Sequence, residues 1–183
     1  MMIEPDTKDW TWVLERACFD CGFDAAAVQR DRVGALLRDN VALWPPLLSH
    51  ARANARPNDH TWSATEYACH VRDVFKVFDG RLQLMLAEDG AAFPNWDQDA
   101  TAIEDDYASQ DPANVANDLA VAGTALATRF DSVPDDAWSR KGVRSDGAHF
   151  TLGSFATYLL HDPTHHIWDV EQGYATLDEA AAT

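Results

Sequence analysis

The sequence Ser63-Ala64-Thr65-Glu66, followed by an apolar stripe at Tyr67, Val71, Val74, Val77, Phe78, Leu82 and Met85, commits this part of the chain to a long amphipathic helix. A serine hydroxyl placed to accept the amide three residues on, with a glutamate reaching back, is a capping box. The stripe recurs at helical spacing and not at the period of two that a strand requires. Two further stretches share this build. Asp111-Pro112 pairs an N-cap carboxylate with a proline at the first helical position, and the pattern then runs through Val115, Leu119, Ala122, Leu126, Phe130 and Val133 to Pro134. Thr151 caps another helix that carries Leu152, Phe155, Tyr158 and Leu159 on its buried side and is predicted to end near Gly173. An earlier stretch, about Asp24 to His50, repeats Val33, Leu36, Leu37, Val41 and Trp44 before Pro45 and Pro46 kink or end it. Four such segments with little alternation of period two predict an all-α four-helix bundle.

The intervening pieces fit that frame. Residues 1–23 hold Trp10, Trp12, Val13, Leu14 and Phe23, too apolar for a free tail, and are expected to pack on the bundle as an N-terminal extension. The acidic stretch Asp89 to Gln110, with Phe93, Pro94 and Trp96, reads as a capping loop over one end. A short hairpin is expected around Lys141 to His149. A chain of 183 residues with 46% hydrophobic content is long enough for one buried core, so residues 1–183 are taken as a single domain.

Thirty acidic against fourteen basic residues give a net charge of −16, which repels phosphate backbones and anionic lipid headgroups. Nucleic acid and membrane are therefore not the expected partners; a small-molecule substrate is. No apolar run approaches the roughly 18 residues of a membrane span, and no signal-peptide pattern opens the chain. Three cysteines, an odd number, suit a reducing compartment, so the expected location is cytoplasmic.

The chemistry lies in the histidines. His161 and His165 are four residues apart on the last helix and so share a face, and His70 falls on the inward side of the capped helix, beside Tyr67 and Val74. A lone inward histidine is ordinarily a satisfied core residue. Two neighbouring imidazoles buried without a cation leave nitrogens unsatisfied at about 1–3 kcal/mol each, and a metal relieves both. Three imidazoles from facing helices would leave a coordination position open for water or a substrate thiolate. His70, His161 and His165 are thus the candidate metal ligands. Asp169, one turn beyond His165, is the candidate outer-shell acceptor for a ligand ring, and His166, about 100° away, is outer shell or surface. Pro163, between the two ligands, frees the carbonyl of Leu159 and either re-aims the rings or is structural.

Cys18-Phe19-Asp20-Cys21-Gly22 has the spacing of half a zinc knuckle. No second C-x-x-C follows, and Cys69, His50, His60 and His149 are the candidate partners. A structural turn is the default, beside a second metal or a thiol-exchange pair. Cys69 itself is expected to pack as core. Trp62 and Trp96 would line a pocket or, more commonly for such positions, serve as hydrophobic plugs.

Trp62, Ser63, Glu66 and His70-Val71-Arg72-Asp73, followed late in the chain by His161-x-x-x-His165-His166, resemble the DinB superfamily over about residues 30 to 172. That resemblance implies a four-helix bundle, often a homodimer, with a divalent metal, commonly zinc or nickel, on three histidines that map onto His70, His161 and His165. It also implies chemistry with a low-molecular-weight thiol such as mycothiol, bacillithiol or glutathione, in S-transferases and isomerases whose metal activates the thiol sulfur. A thiolate attacking a small electrophile is the expected function. A metal-dependent hydrolase, a non-catalytic metal- or ligand-binding bundle, and a metal-free histidine network are the alternatives. The Cys18-x-x-Cys21 element is no part of that pattern.

Overall fold

The structure, a computed structural model, describes residues 9–182. It is an all-α four-helix bundle with a small three-stranded sheet at one end. Helices α1 (Val33–Val41) and α2 (Trp44–Leu48) together form the first arm, followed by α3 (Ala64–Ala87), the short α4 (Gln98–Glu104), α5 (Pro112–Asp131) and α6 (Leu152–Ala181). Both α1 and α3 pack against α5 and α6, so chain neighbours α1 and α3 do not form the main contacts of the bundle. No helix among the described residues is long and apolar enough to cross a membrane.

The helix starts follow from their caps. Ser63 Oγ accepts the Glu66 amide at 3.3 Å while Glu66 Oε2 accepts the Ser63 amide at 2.8 Å. Asp111 accepts the Asn114 amide at 2.9 Å ahead of Pro112, and Thr151 accepts the Ser154 amide at 3.1 Å. Two boundaries differ from expectation. Residues 24–32 form 3₁₀ turns, Ala25–Ala27 and Arg30–Arg32, and α1 begins only at Val33. With Val28 alone to bury, that stretch has no stripe to hold a helix on the core. Pro45 and Pro46 sit in the first turn of α2, where no intrahelical amide is required, so the chain breaks after Val41 and restarts.

At the other end α6 continues past Gly173 to Ala181. Contacts with the first arm hold it there. Tyr174 donates its hydroxyl to Leu47 O at 2.7 Å, Arg52 donates to Leu177 O at 2.7 Å and also pairs with Asp178. Pro163 leaves α6 continuous, and its own carbonyl accepts Asn40 Nδ2 at 3.0 Å.

The two connections meet in the sheet. Strand β1 (Ala91–Phe93) pairs in parallel with β2 (Lys141–Arg144), which pairs antiparallel with β3 (His149–Thr151). The hairpin expected at 141–149 is β2–β3, whereas β1, α4 and a 3₁₀ turn at Tyr107–Ser109 order the acidic stretch 89–110. Trp44, Phe75, Leu119, Leu126, Phe155 and Leu159 are fully buried in the core. The 3₁₀ turn Trp10–Leu14 packs on α6.

Candidate functional site

Helix α6 carries two ladders of potential ligands, each at i, i+4: His161 with His165, and Asp162 with His166. Successive residues turn about 100° around a helix, so the two ladders look in different directions. The second ladder meets α3. His70 Nε2 lies 3.5 Å from Asp162 Oδ1, the His70 and His166 rings approach edge-on with centroids 4.8 Å apart, and His166 Nε2 is 3.7 Å from the same carboxylate oxygen. One potential ligand atom from each of His70, Asp162 and His166 lies within 4.8 Å of the others.

This trio has the marks of a cation site. His70 is 1% exposed, and both its ring nitrogens, together with Asp162 Oδ1, are buried without a hydrogen-bond partner. Each such group costs about 1–3 kcal/mol, and one divalent ion would satisfy Asp162 Oδ1 together with one nitrogen of His70. Trp96 stacks on the His70 ring at 5.4 Å and 13°, and Trp62 packs at 5.5 Å, so the indoles shield His70 from water. Burial opposes the charge of Asp162, but the facing His70 and His166 imidazoles outweigh it and hold the carboxyl well below the ordinary aspartate range.

The first ladder looks instead at the N-terminal segment. Ligand atoms of Cys18, Cys21, His161 and His165 lie within 4.8 Å of one another, with Cys18 Sγ 3.6 Å from His165 Nδ1. Burial, and then the neighbouring His165, push His161 down to about 4; burial also lowers His165. Both rings are therefore neutral near pH 7, the form that binds metals.

Of the three histidines singled out from the sequence, then, His161 and His165 come together, and His70 joins Asp162 and His166 instead. The set His70, His161 and His165 is not one of the ligand groups found among the described residues. Asp169, expected beside His165, has Oδ2 at 2.8 Å from His166 Nδ1 and Oδ1 at 3.8 Å from His165 Nε2. Asp162 and His166 were not among the ligands expected from the sequence, and they are candidates only by their place in the fold. Their own i, i+4 spacing was the available signal, but only packing decides which ladder faces α3. The remaining candidates lie elsewhere: His50 stacks on Tyr174 at 4.2 Å, and Cys69 Sγ contacts Gln110 Oε1 at 3.3 Å with its thiol pushed up to about 12 by burial.

A pocket of about 100 Å³ opens beside the ladders, walled by Trp10, Gln98, Tyr158, His161, Asp162, His165 and His166. Trp10, Gln98 and Tyr158 are shared with a wider cleft of about 850 Å³ that reaches to Trp96, Arg144 and His149. Asp162 and His166 thus line the foot of a space large enough for a small organic ligand, with His70 buried behind them.

Known proteins bear out the fold. The chain aligns with YfiT from Bacillus subtilis, described as a probable metal-dependent hydrolase with an unusual four-helix bundle topology, at a TM-score of 0.74 and 19% identity, over 82% of this chain and 88% of that one. It also aligns with a mycothiol-dependent maleylpyruvate isomerase at a TM-score of 0.57 and 14% identity, over 79% of this chain but only 60% of that one. No curated protein matches the chain by sequence. The family model of the DinB superfamily matches residues 38–170, which takes in the whole of α3 and both ladders of α6: the chain belongs to the DinB superfamily.

Proposed function

We propose that the protein is a divalent-metal-dependent enzyme acting on a small electrophile with a low-molecular-weight thiol, as an S-transferase or isomerase, and that His70, Asp162 and His166 hold the ion. One observation carries the reading: His70 Nε2 and Asp162 Oδ1, both buried and without a hydrogen bond, face each other at 3.5 Å. Two imidazoles and one carboxylate leave a tetrahedral position open. Bound there, zinc or nickel would supply Lewis acidity, which deprotonates a coordinated thiol or water near neutral pH.

The chain's own residues perform the rest. Asp169 accepts a hydrogen bond from His166 Nδ1–H and so keeps the Nε2 lone pair free for the ligand position. Trp62 and Trp96 keep water off His70 and hold its ring plane. At the pocket mouth the Tyr158 hydroxyl accepts Arg144 Nη1 at 3.3 Å, which places a phenol and a guanidinium beside the reacting groups. A cleft of about 850 Å³ accommodates a thiol cofactor together with a second substrate, and the isomerase among the fold relatives uses mycothiol. The reading places the protein in the reducing cytoplasm, where such thiols are kept.

Hydrolysis is the second reading, favoured by the fuller structural match to the probable hydrolase. Incubation of zinc- or nickel-loaded protein with mycothiol, bacillithiol or glutathione and a panel of electrophiles, followed by mass spectrometry, separates the two. Thiol adducts or isomerised product, lost at least a hundredfold in His70→Ala and Asp162→Ala, are expected. Turnover of esters or amides without any thiol would transfer the site to hydrolysis. No turnover with either panel would leave a binding protein and sink the enzyme reading.

A further inference from the structure

We propose that Cys18, Cys21, His161 and His165 form a second, closed metal site of the Cys2His2 type, which fastens the N-terminal segment to α6. The cysteine half is a folded turn. The Gly22 amide donates to Cys18 O at 3.0 Å and the Cys18 amide to Phe23 O at 2.8 Å, and Gly22 has φ +73°, a conformation that disfavours a side chain. This turn swings both sulfurs to one side. The histidine half is the i, i+4 ladder of α6, whose ring centroids are 5.2 Å apart.

The spacing fits an ion. Tetrahedral zinc with bonds of about 2.3 Å to sulfur and 2.0 Å to nitrogen sets its ligand atoms roughly 3.3–3.8 Å from one another. Cys18 Sγ and His165 Nδ1 already stand at 3.6 Å, and all four atoms lie within 4.8 Å. His161, only 4% exposed, has its Nε2 buried with no hydrogen-bond partner. Cys18 is 2% exposed. Cys21 is half-buried beside it, and burial pushes the Cys21 thiol up to about 11. Binding releases two protons as both thiols become thiolates, whose charges cancel that of the divalent ion and leave a neutral centre fit for burial.

Two features make the site structural and not catalytic. Four protein ligands leave no open position. Aromatic rings also close over it: Trp10 packs on His161 at 5.4 Å and on His165 at 5.2 Å, and Phe23 packs on His161 at 5.5 Å. His165 binds through Nδ1 while its Nε2 points toward Asp169, the same carboxylate that orients His166. The clip therefore sets the strap whose Trp10 walls the pocket beside Asp162 and His166.

The test uses untagged, zinc-supplemented full-length protein and does not depend on activity. Metal analysis is expected to give two ions per chain in the wild type, one in His70→Ala, and one in Cys18→Ser/Cys21→Ser. X-ray absorption at the zinc edge of His70→Ala should show two sulfur neighbours at about 2.3 Å and two nitrogen neighbours at about 2.0 Å. In cobalt-substituted wild type, a thiolate-to-cobalt charge-transfer band is expected, and zinc should slow alkylation of Cys18 and Cys21 more than tenfold until a chelator is added. These last two readings need no variant. Absence of sulfur from the metal's neighbours, alkylation indifferent to zinc, or a Cys18–Cys21 disulfide in zinc-supplemented protein would overturn the proposal, whatever becomes of the site at His70.

Discussion

Replacing Glu66 by glutamine removes one charge from the buried start of α3 with almost no change of shape. The Glu66 side chain is 3% exposed and its partner Arg56 31%. Its oxygens accept Arg56 Nε at 3.1 and 2.9 Å and a further contact from Arg56 Nη2, while Ser63 donates its amide and hydroxyl at 2.8 Å each. Glutamine retains a carbonyl oxygen for the Ser63 amide but turns an N–H pair toward the guanidinium. Breaking a fully buried pair costs about 3–5 kcal/mol and an exposed one under about 1 kcal/mol. Arg56 can turn partly into water, so about 2 kcal/mol is expected, or roughly 4–8 °C in Tm for a chain of this size.

The pH dependence follows from the same contacts. Burial alone would raise the Glu66 pKa, but the Arg56 bonds and then those of Ser63 outweigh it and hold the value below the ordinary one. A carboxylate with a depressed folded pKa adds stability above its unfolded value, about 4.3, and loses that contribution as pH falls through the folded value. Glutamine has nothing to titrate. Urea unfolding of the metal-free forms at neutral pH and at a series of acid values should therefore show a gap that closes in acid. A neutral-pH difference under about 0.5 kcal/mol, the size of an ordinary surface change, or a gap that persists undiminished into acid, would refute the reasoning.

Gly123→Ala places a Cβ 2.8 Å from Phe75 Cε2 and against Val41, where α5 approaches α3 and α1; overpacking of about 1–3 kcal/mol outweighs the helix propensity gained, up to about 1 kcal/mol, and urea unfolding should show a net loss. Asn40→Ala deletes the bond to Pro163 O and strands the indole N–H of fully buried Trp44, which donates to Asn40 Oδ1 at 3.1 Å; a loss of about 2–3 kcal/mol is expected by the same assay. Tyr107→Phe removes a buried 2.8 Å bond to Asp73 Oδ2 but leaves that oxygen its Arg72 partner at 2.7 Å. It should cost about 1 kcal/mol and speed amide exchange in the turn 107–109, as read by mass spectrometry.

The sequence made the bundle legible because caps and stripes are local. Ser63 with Glu66, Asp111 with Pro112, and Thr151 each announce a helix through contacts within three residues. The parallel pairing of β1 with β2 stayed hidden, since residues fifty apart must meet before Ala91 has a reason to be a strand. Helix α6 overran Gly173 for the same reason: Tyr174 and Arg52 hold it from a distance. At the site, residue type and spacing pointed to α3 and α6, the two helices that carry His70, Asp162 and His166. They left the azimuth of α6 open, and one residue of rotation exchanges His161 and His165 for Asp162 and His166. Cys18 and Cys21 were visible as half a knuckle, yet their partners lie well over a hundred residues downstream.

That separation bears on how the molecule assembles. Cys18 is synthesised well ahead of the surface it docks on, the fourth turn of α6, whose His165 follows it by 147 residues. Closing so long a loop is entropically demanding, so during synthesis the leading segment waits until the trailing helix has condensed onto its neighbours. The mouth of the cleft is then finished by a segment synthesised well before the helix it docks on.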